Sequence, residues 1–306
     1  MISKLEFKAM GCHMLAALEY PPSRAGKLLD RVPVWFEEWE DALSRFRPGS
    51  ELTRLNQASG EAVRVSETLW DVFMVSNQAY KDSGGLVTPM VLGALVEAGY
   101  KNSFDVLSRN QVVGVQEKIL IRSLDEVERW PESRTLRLPA GEQIDFGGVA
   151  KGWAAHQAML RLKSYGPVLI NAGGDIAISG LGAEAQPWLI GIDDPFQVGR
   201  SLGTLRLGRC GVATSGRDYR RWTQNGAWKH HIIDPHTAEP AETDVVSATV
   251  IAPTVLEAEM AAKALLILGR QAGETWLAAQ PGLSGLMVTE DGQLHYNRSF
   301  EKYFGR

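Results

Sequence analysis

The run His230-His231-Ile232-Ile233-Asp234-Pro235 sets two imidazoles before an Asp-Pro turn. Ala213-Thr214-Ser215-Gly216 lies upstream and a small-residue helix, Glu257 to Leu268, lies downstream. Histidine titrates near neutrality and can carry a proton, whereas Thr-Ser-Gly offers hydroxyls and backbone N–H groups to an anion. Together they describe a site that activates something beside a phosphate; a structural histidine at a strand end before a turn accounts for the run equally well. Gly147-Gly148-Val149-Ala150-Lys151-Gly152 adds bare backbone and a lysine at a helix start, where unpaired N–H groups and the helix dipole favour an anion. Its spacing and its lack of a closing Ser or Thr exclude a Walker loop. Gly173-Gly174-Asp175 permits close approach by a ligand or a strand, with Asp175 free to bind a hydroxyl or cap the turn. An ordinary structural turn explains either glycine stretch as well.

Several elements must position these residues. The N-terminal stretch Met1 to Lys8 alternates polar and apolar like a first strand, and helical spacing runs from Ser23 to Phe46 through Leu28, Val32, Trp35, Trp39 and Leu43. Ser50 is placed to cap a short helix through Asn56. Ser66 opens a second helix, with Leu69, Phe73 and Tyr80 on one face, that ends at Ser83-Gly84-Gly85. Residues 111–139 read as short strands and turns. The glycine loop from Asp145 opens a helix to about Leu162, followed by strands at Val168 to Asn171, Ile176 to Ser179 and Trp188 to Ile192. Val245 to Ala252 alternates as a strand, the helix at 255–268 is stopped by Gly269, and Asp291-Gly292 marks a closing hairpin. Strands and helices mix without regular βαβ alternation, which predicts an α+β fold of mixed sheets with packed helices.

At 306 residues the chain can bury a full core as one large domain or as two interlocked halves. A net charge of -4, with Lys and Arg spread along the chain, gives no reason to expect nucleic acid or an anionic membrane as partner. Two cysteines, Cys12 and Cys210, cannot build a metal cluster alone and read as small buried residues of a reduced protein. No apolar run is long enough to span a bilayer and no signal core opens the chain, so a cytoplasmic location is expected. His13, His156, His236 and His295 have no partners at ligand spacing, and neither a nucleophile elbow nor a His-Glu-x-x-His zinc motif is present.

Taken in order, the motifs resemble one family over nearly the whole chain, the FAD:protein FMN transferases of the ApbE family. The resemblance rests on Met10-Gly11, Leu43-Ser44-Arg45-Phe46, Ser50-Glu51-Leu52 to Asn56, and Ser83-Gly84-Gly85. It continues through the Asp145 to Gly152 loop, Asn171-Ala172-Gly173-Gly174-Asp175, Ala213-Thr214-Ser215-Gly216, the His-His-Ile-Ile-Asp-Pro-His-Thr run and Pro240-Ala241. It implies a single ApbE-like flavin transferase domain over residues 1–306. Its members cleave the pyrophosphate of FAD, release AMP and attach FMN by a phosphodiester to a threonine of an acceptor flavoprotein. By resemblance, His231 is the base and Lys151, with the Gly147-Gly148 backbone, neutralises phosphate. Met10, Asn56, Leu86, Val87 and Thr88 line a flavin or adenosine pocket. Asp145, Gly173, Gly174, Asp175, Thr214, Ser215 and Ile233 also belong to the dinucleotide site, and Gly148, Glu259 and Lys263 fall at the metal positions.

The chain departs from the family pattern in places. Thr88 and Met90 stand where an Asp and then a Thr are usual, and Ala238 replaces the glycine that ends the histidine motif. On the late helix the usual Asp and Thr ligands of Mg²⁺ are Glu259 and Lys263. A protonated lysine cannot ligate, and its charge repels the ion, so the sequence makes Mg²⁺ doubtful. On a helical wheel Ala258, Ala261, Leu265 and Leu268 form the apolar side, with Glu259 and Lys263 opposite. That arrangement fits either a solvated i,i+4 pair worth about 0.3–0.5 kcal/mol or an ammonium standing in for a metal beside the pyrophosphate. The expected function is flavin transfer. Hydrolysis of FAD to FMN and AMP, and flavin binding without turnover, are the alternatives.

Overall fold

The computed structural model describes residues 1–104, 110–111 and 119–305, so the short strands and turns expected over 111–139 fall partly outside the described residues. Within them, Glu128–Trp130 and Thr135–Arg137 are short antiparallel strands. The chain divides into a sheet unit (Met1–Phe36, Lys151–Tyr219, Thr243–Arg306) and a helical unit (Glu37–Ala150, Arg220–Glu242). The fold is α+β, as the pattern predicted, and each unit is assembled from separate stretches of chain.

The sheet unit is built on eight antiparallel strands whose spatial order follows the chain. They are β1 (Ile2–Ala9), β2 (Cys12–Glu19), β3 (Val168–Ala172), β4 (Asp175–Ile178), β5 (Cys210–Gly216), β6 (Val245–Ala252), β7 (Ser284–Thr289) and β8 (Leu294–Tyr296). Two hairpins turn on residues with left-handed backbone: Met10 (φ 48°) with Gly11 (φ 65°), and Gly173 (φ 66°) with Gly174 (φ 101°). Two consecutive positive φ values give the hairpin twist that matches the flanking strands.

Although β6 alternates in sequence, it is buried at every position. Helix α7 (Val255–Ala278) packs against β5 and β6. The sheet also contributes Val212, Ile251 and Leu286 to a core with Trp188, Leu205 and Leu207. Thr254 and Glu257 form a reciprocal capping box at the start of α7, which the sequence signature Thr-x-x-Glu announces. The helix does not stop at Gly269. That residue breaks it with φ 73°, and the Asp244 carboxylate then accepts the Arg270 N–H at 2.8 Å and caps a second segment. The helical spacing over 23–46 is likewise two helices, α1 (Pro22–Leu29) and α2 (Val32–Leu43), with Pro33 in the first turn of the second.

In the helical unit both predicted serine caps form. Ser50 accepts from Thr53 N–H at the start of α3 (Glu51–Gln57), and Ser66 from Leu69 N–H at the start of α4 (Glu67–Asp82). Helix α5 (Leu92–Glu97) contributes Ala94 and Leu95 to a core with Ala98, Tyr100, Trp222 and Ile233. Trp222 and Tyr100 stack with ring centroids 5.4 Å apart, and the indole N–H donates to the Ala98 carbonyl at 2.8 Å. Trp222 lies on a hairpin, Arg221–Gln224 with Ala227–His230, whose last residue leads into the histidine run.

Candidate functional site

Four charged side chains meet in the sheet unit. Helix α6 (Ala150–Leu162) begins at the glycine loop and carries Lys151, Asp175 opens β4 just after the Gly173-Gly174 turn, and α7 carries Glu259 and Lys263. Lys151 Nζ is paired with Asp175 Oδ2 and lies 3.4 Å from Glu259 Oε1, and Lys263 Nζ donates to that same oxygen at 3.0 Å. The Gly152 N–H donates to Glu259 Oε2 at 3.2 Å. A Cβ at 152 would land on Oε2, so any other residue there would push the Glu259 carboxylate off this N–H. The side chains are 4% (Asp175), 1% (Glu259), 16% (Lys151) and 14% (Lys263) exposed, so Glu259 and Lys263 are not a solvated pair. The wheel misses this because α7 is enclosed on both sides: Met260, Ala262, Ala264 and Leu266 are buried together with Ala258, Ala261 and Leu265.

Burial disfavours charge on both carboxylates, and the lysines decide between them. At Glu259 burial is outweighed by Lys263 and Lys151, which hold the carboxyl below its ordinary range. At Asp175 burial and the neighbouring Glu259 charge prevail over Lys151 and Lys263, and the carboxyl is pushed up to about 6. Lys151 is held protonated: burial works against its charge, but Asp175 and Glu259 more than offset it. The turn itself is tight, since a Cβ on Gly173 would sit 2.8 Å from Cys12 Cβ.

Thr214 and Ser215 lie in β5, not in a loop open to an anion. Thr214 is opposite Thr249 and Ser215 opposite Ala248, and the Thr214 and Thr249 hydroxyls are 2.9 Å apart. Ser215 is buried, whereas Thr214 faces solvent.

The helical unit holds the remaining expected residues. The Asn56 carboxamide takes both backbone groups of Ile144, donating to its carbonyl and accepting from its N–H, each at 2.9 Å. Asn56 thereby fixes the chain just before Asp145. The Asp145 carboxyl is raised by burial, against the pull of Arg45, the Gly147 N–H and Arg220. Arg45 had no predicted role. Its Nε is 3.4 Å from Asp145, its Nη2 donates to the Tyr100 carbonyl at 2.8 Å, and its guanidinium lies 4.1 Å from the centre of the Phe46 ring. The adjacent Arg45-Phe46 pair was the only local signal for it. Leu86, Val87 and Thr88 are buried, and Thr88 caps a short turn by accepting from Met90 N–H at 3.2 Å.

In the histidine run, His230 is structural. It is buried, its Nε2 lies 3.2 Å from the Ala241 carbonyl, and its Nδ1 accepts from the Ile232 N–H at 3.3 Å. Those bonds assign the proton to Nε2. They also grip both arms of the loop that carries His231, which is half-buried. Ile233 belongs to the Trp222 core. Ala238, at the usual glycine, adopts φ 59°.

Among the described residues, no group of three or more His, Cys, Asp or Glu is placed to hold a metal, and no helix is long and apolar enough to cross a membrane.

The family model described as the ApbE family matches residues 10–287. The FAD:protein FMN transferase of Vibrio cholerae is 33% identical over 287 residues, covering 90% of this chain and 83% of its own. That of Treponema pallidum is 29% identical over 298 residues, covering 92% and 82%. Among solved structures, the ApbE protein of Thermotoga maritima aligns over 100% of both chains with a TM-score of 0.89 at 23% identity. Flavin transferase ApbE from Vibrio cholerae covers 99% of each chain with a TM-score of 0.83 at 26% identity.

Proposed function

The chain belongs to the ApbE family, and from that premise we propose that it is an FAD:protein FMN transferase acting as one catalytic domain over residues 1–306. The match over residues 10–287, with a Vibrio relative of that name at 33% identity, carries the reading. In the reaction a threonine oxygen of the acceptor flavoprotein forms a bond to the FMN phosphorus. The bond from that phosphorus to the bridging oxygen breaks, and AMP leaves with the oxygen and its charge.

Such a transfer needs a base for the hydroxyl and fixed positive charge for the phosphates. His231 takes the hydroxyl proton, on a loop that His230 holds from both sides. Lys151, held protonated by two carboxylates, supplies charge at the start of α6. By resemblance, Met10, Gly173, Gly174, Thr214 and Ser215 of the sheet unit are assigned to the dinucleotide, and so, in the helical unit, are Leu86, Val87 and Thr88. Asn56, Asp145 and Ile233 serve it through the backbone they fix and the core they fill. At the expected metal positions, Glu259 has both oxygens engaged and Lys263 brings an ammonium, so these residues do not fit Mg²⁺.

Incubation with FAD and a threonine-bearing acceptor domain, reading AMP release together with in-gel flavin fluorescence, tests this function. A fluorescent acceptor band with AMP is expected. AMP with free FMN and no labelled band would replace transfer by hydrolysis, and intact bound FAD would replace it by binding alone. Substituting His231→Asn should slow AMP release by about 10²–10⁴-fold while leaving FAD affinity in place.

A further inference from the structure

We propose that Lys263, held by Glu259, is the resident cation of this site, and that the chain transfers FMN without a divalent metal. This rests on the transferase reading above.

A carboxylate ligates a metal through an open lone pair, and Glu259 has little to offer. Oε1 receives Lys263 at 3.0 Å and faces Lys151 at 3.4 Å, and Oε2 receives the Gly152 N–H at 3.2 Å. A divalent ion seated on Glu259 would face two ammonium groups within ion-pair distance of the same oxygen, in surroundings too buried for water to screen the repulsion. Lysine has no acceptor with which to join the coordination shell. The position that resemblance assigns to a ligand therefore carries the charge that a ligand would have recruited.

The substitution is also built into its surroundings. Glu259 is 1% exposed and its approach depends on the absent side chain at 152. Each ammonium has three N–H donors. Lys263 gives one to Glu259, and its 14% exposed side chain keeps an open edge for a phosphate oxygen. As AMP departs, the bridging oxygen takes on charge. A fixed ammonium beside it stabilises that charge without reorganising in the transition state.

Two measurements on the full chain test the proposal. The first compares AMP release from FAD in the presence of the threonine-bearing acceptor domain, in Mg²⁺ and in EDTA, for the wild type and for Lys263→Thr. The wild type should run equally in both. Lys263→Thr should be about 10²-fold slower in EDTA, the loss expected when one charge-stabilising donor is removed. The second titrates Mn²⁺ into each protein and follows the free ion by its paramagnetic resonance. The wild type should take up none stoichiometrically, and Lys263→Thr should gain a site. A wild type that stops in EDTA and recovers with Mg²⁺, or that binds one Mn²⁺, overturns the proposal. If neither protein releases AMP under any condition, the transferase reading fails, and the Mn²⁺ titration still decides whether a metal site exists. If Lys263→Thr does not fold, the wild-type arms decide alone.

Discussion

Glu259 in the sheet unit and Asn56 in the helical unit are both buried, at 1% and 7% exposed, but they are satisfied in opposite ways. Glu259 answers charge with charge: two lysines and one backbone N–H converge on its carboxylate. Asn56 answers backbone: its carboxamide takes both polar groups of Ile144, 88 residues away. The contrast extends to their neighbours. Asp175 and Lys151 belong to the same charge cluster as Glu259, whereas His230, Trp222 and Gln224 each bind a backbone carbonyl within the helical unit. Where charges lock one another, the site gains a fixed field and loses tolerance, since every member is compensated by another. Where side chains hold backbone, the site gains a shaped loop and each holder is replaceable at moderate cost.

The largest effect should come from breaking the first arrangement. Glu259→Ala strands Lys151 and Lys263 with Asp175 as their remaining carboxylate, and an uncompensated buried charge costs about 3–5 kcal/mol. Urea unfolding at neutral pH should register that loss. A loss no larger than that of an exposed ion pair, about 0–1 kcal/mol, would mean that water screens the cluster and would erase the contrast. The second arrangement should break more gently. Asn56→Ala leaves the Ile144 N–H and carbonyl without their partner, at about 1–3 kcal/mol. A loss equal to that of Glu259→Ala would place the two on the same footing.

What was legible in the sequence divides along the same line. Local signals read well: the Ser50 and Ser66 caps, the Gly173-Gly174 turn and the Asp291-Gly292 hairpin each depend on residues a few positions apart. Members of the charge cluster could be named one at a time. Their meeting could not be derived from spacing, because Lys151 and Glu259 lie 108 residues apart and are joined only through the sheet and α7. Gly269 misled for the same reason. A glycine after an apolar helical run is a stop signal, but Asp244, far upstream, restarts the helix by capping Arg270. Burial on both faces of β6 likewise depends on elements packed over it, which its alternation does not record.

The smallest effect sharpens how the histidine loop is held. Ala238 (φ 59°) sits between the paired strands Ile233–Asp234 and Glu239–Pro240, with its N–H donating to the Asp234 carbonyl at 2.9 Å. Left-handed backbone costs an L residue about 1–2 kcal/mol, which glycine does not incur. Ala238→Gly relieves that strain. Against it stand about 0.4–1 kcal/mol of added freedom in the unfolded chain and loss of the methyl contact with the Trp222 core. The terms nearly cancel, so Ala238→Gly should leave the urea midpoint almost unmoved. Ala241, also on this loop and 4% exposed, has no left-handed strain to release. Ala241→Gly should therefore lose about 1 kcal/mol, from unfolded-state freedom and lost burial together. Equal losses would mean that the loop relaxes around residue 238, and that His230, not the turn backbone, sets its shape. A clear difference would assign the shape to the left-handed turn, with His230 closing the loop behind it.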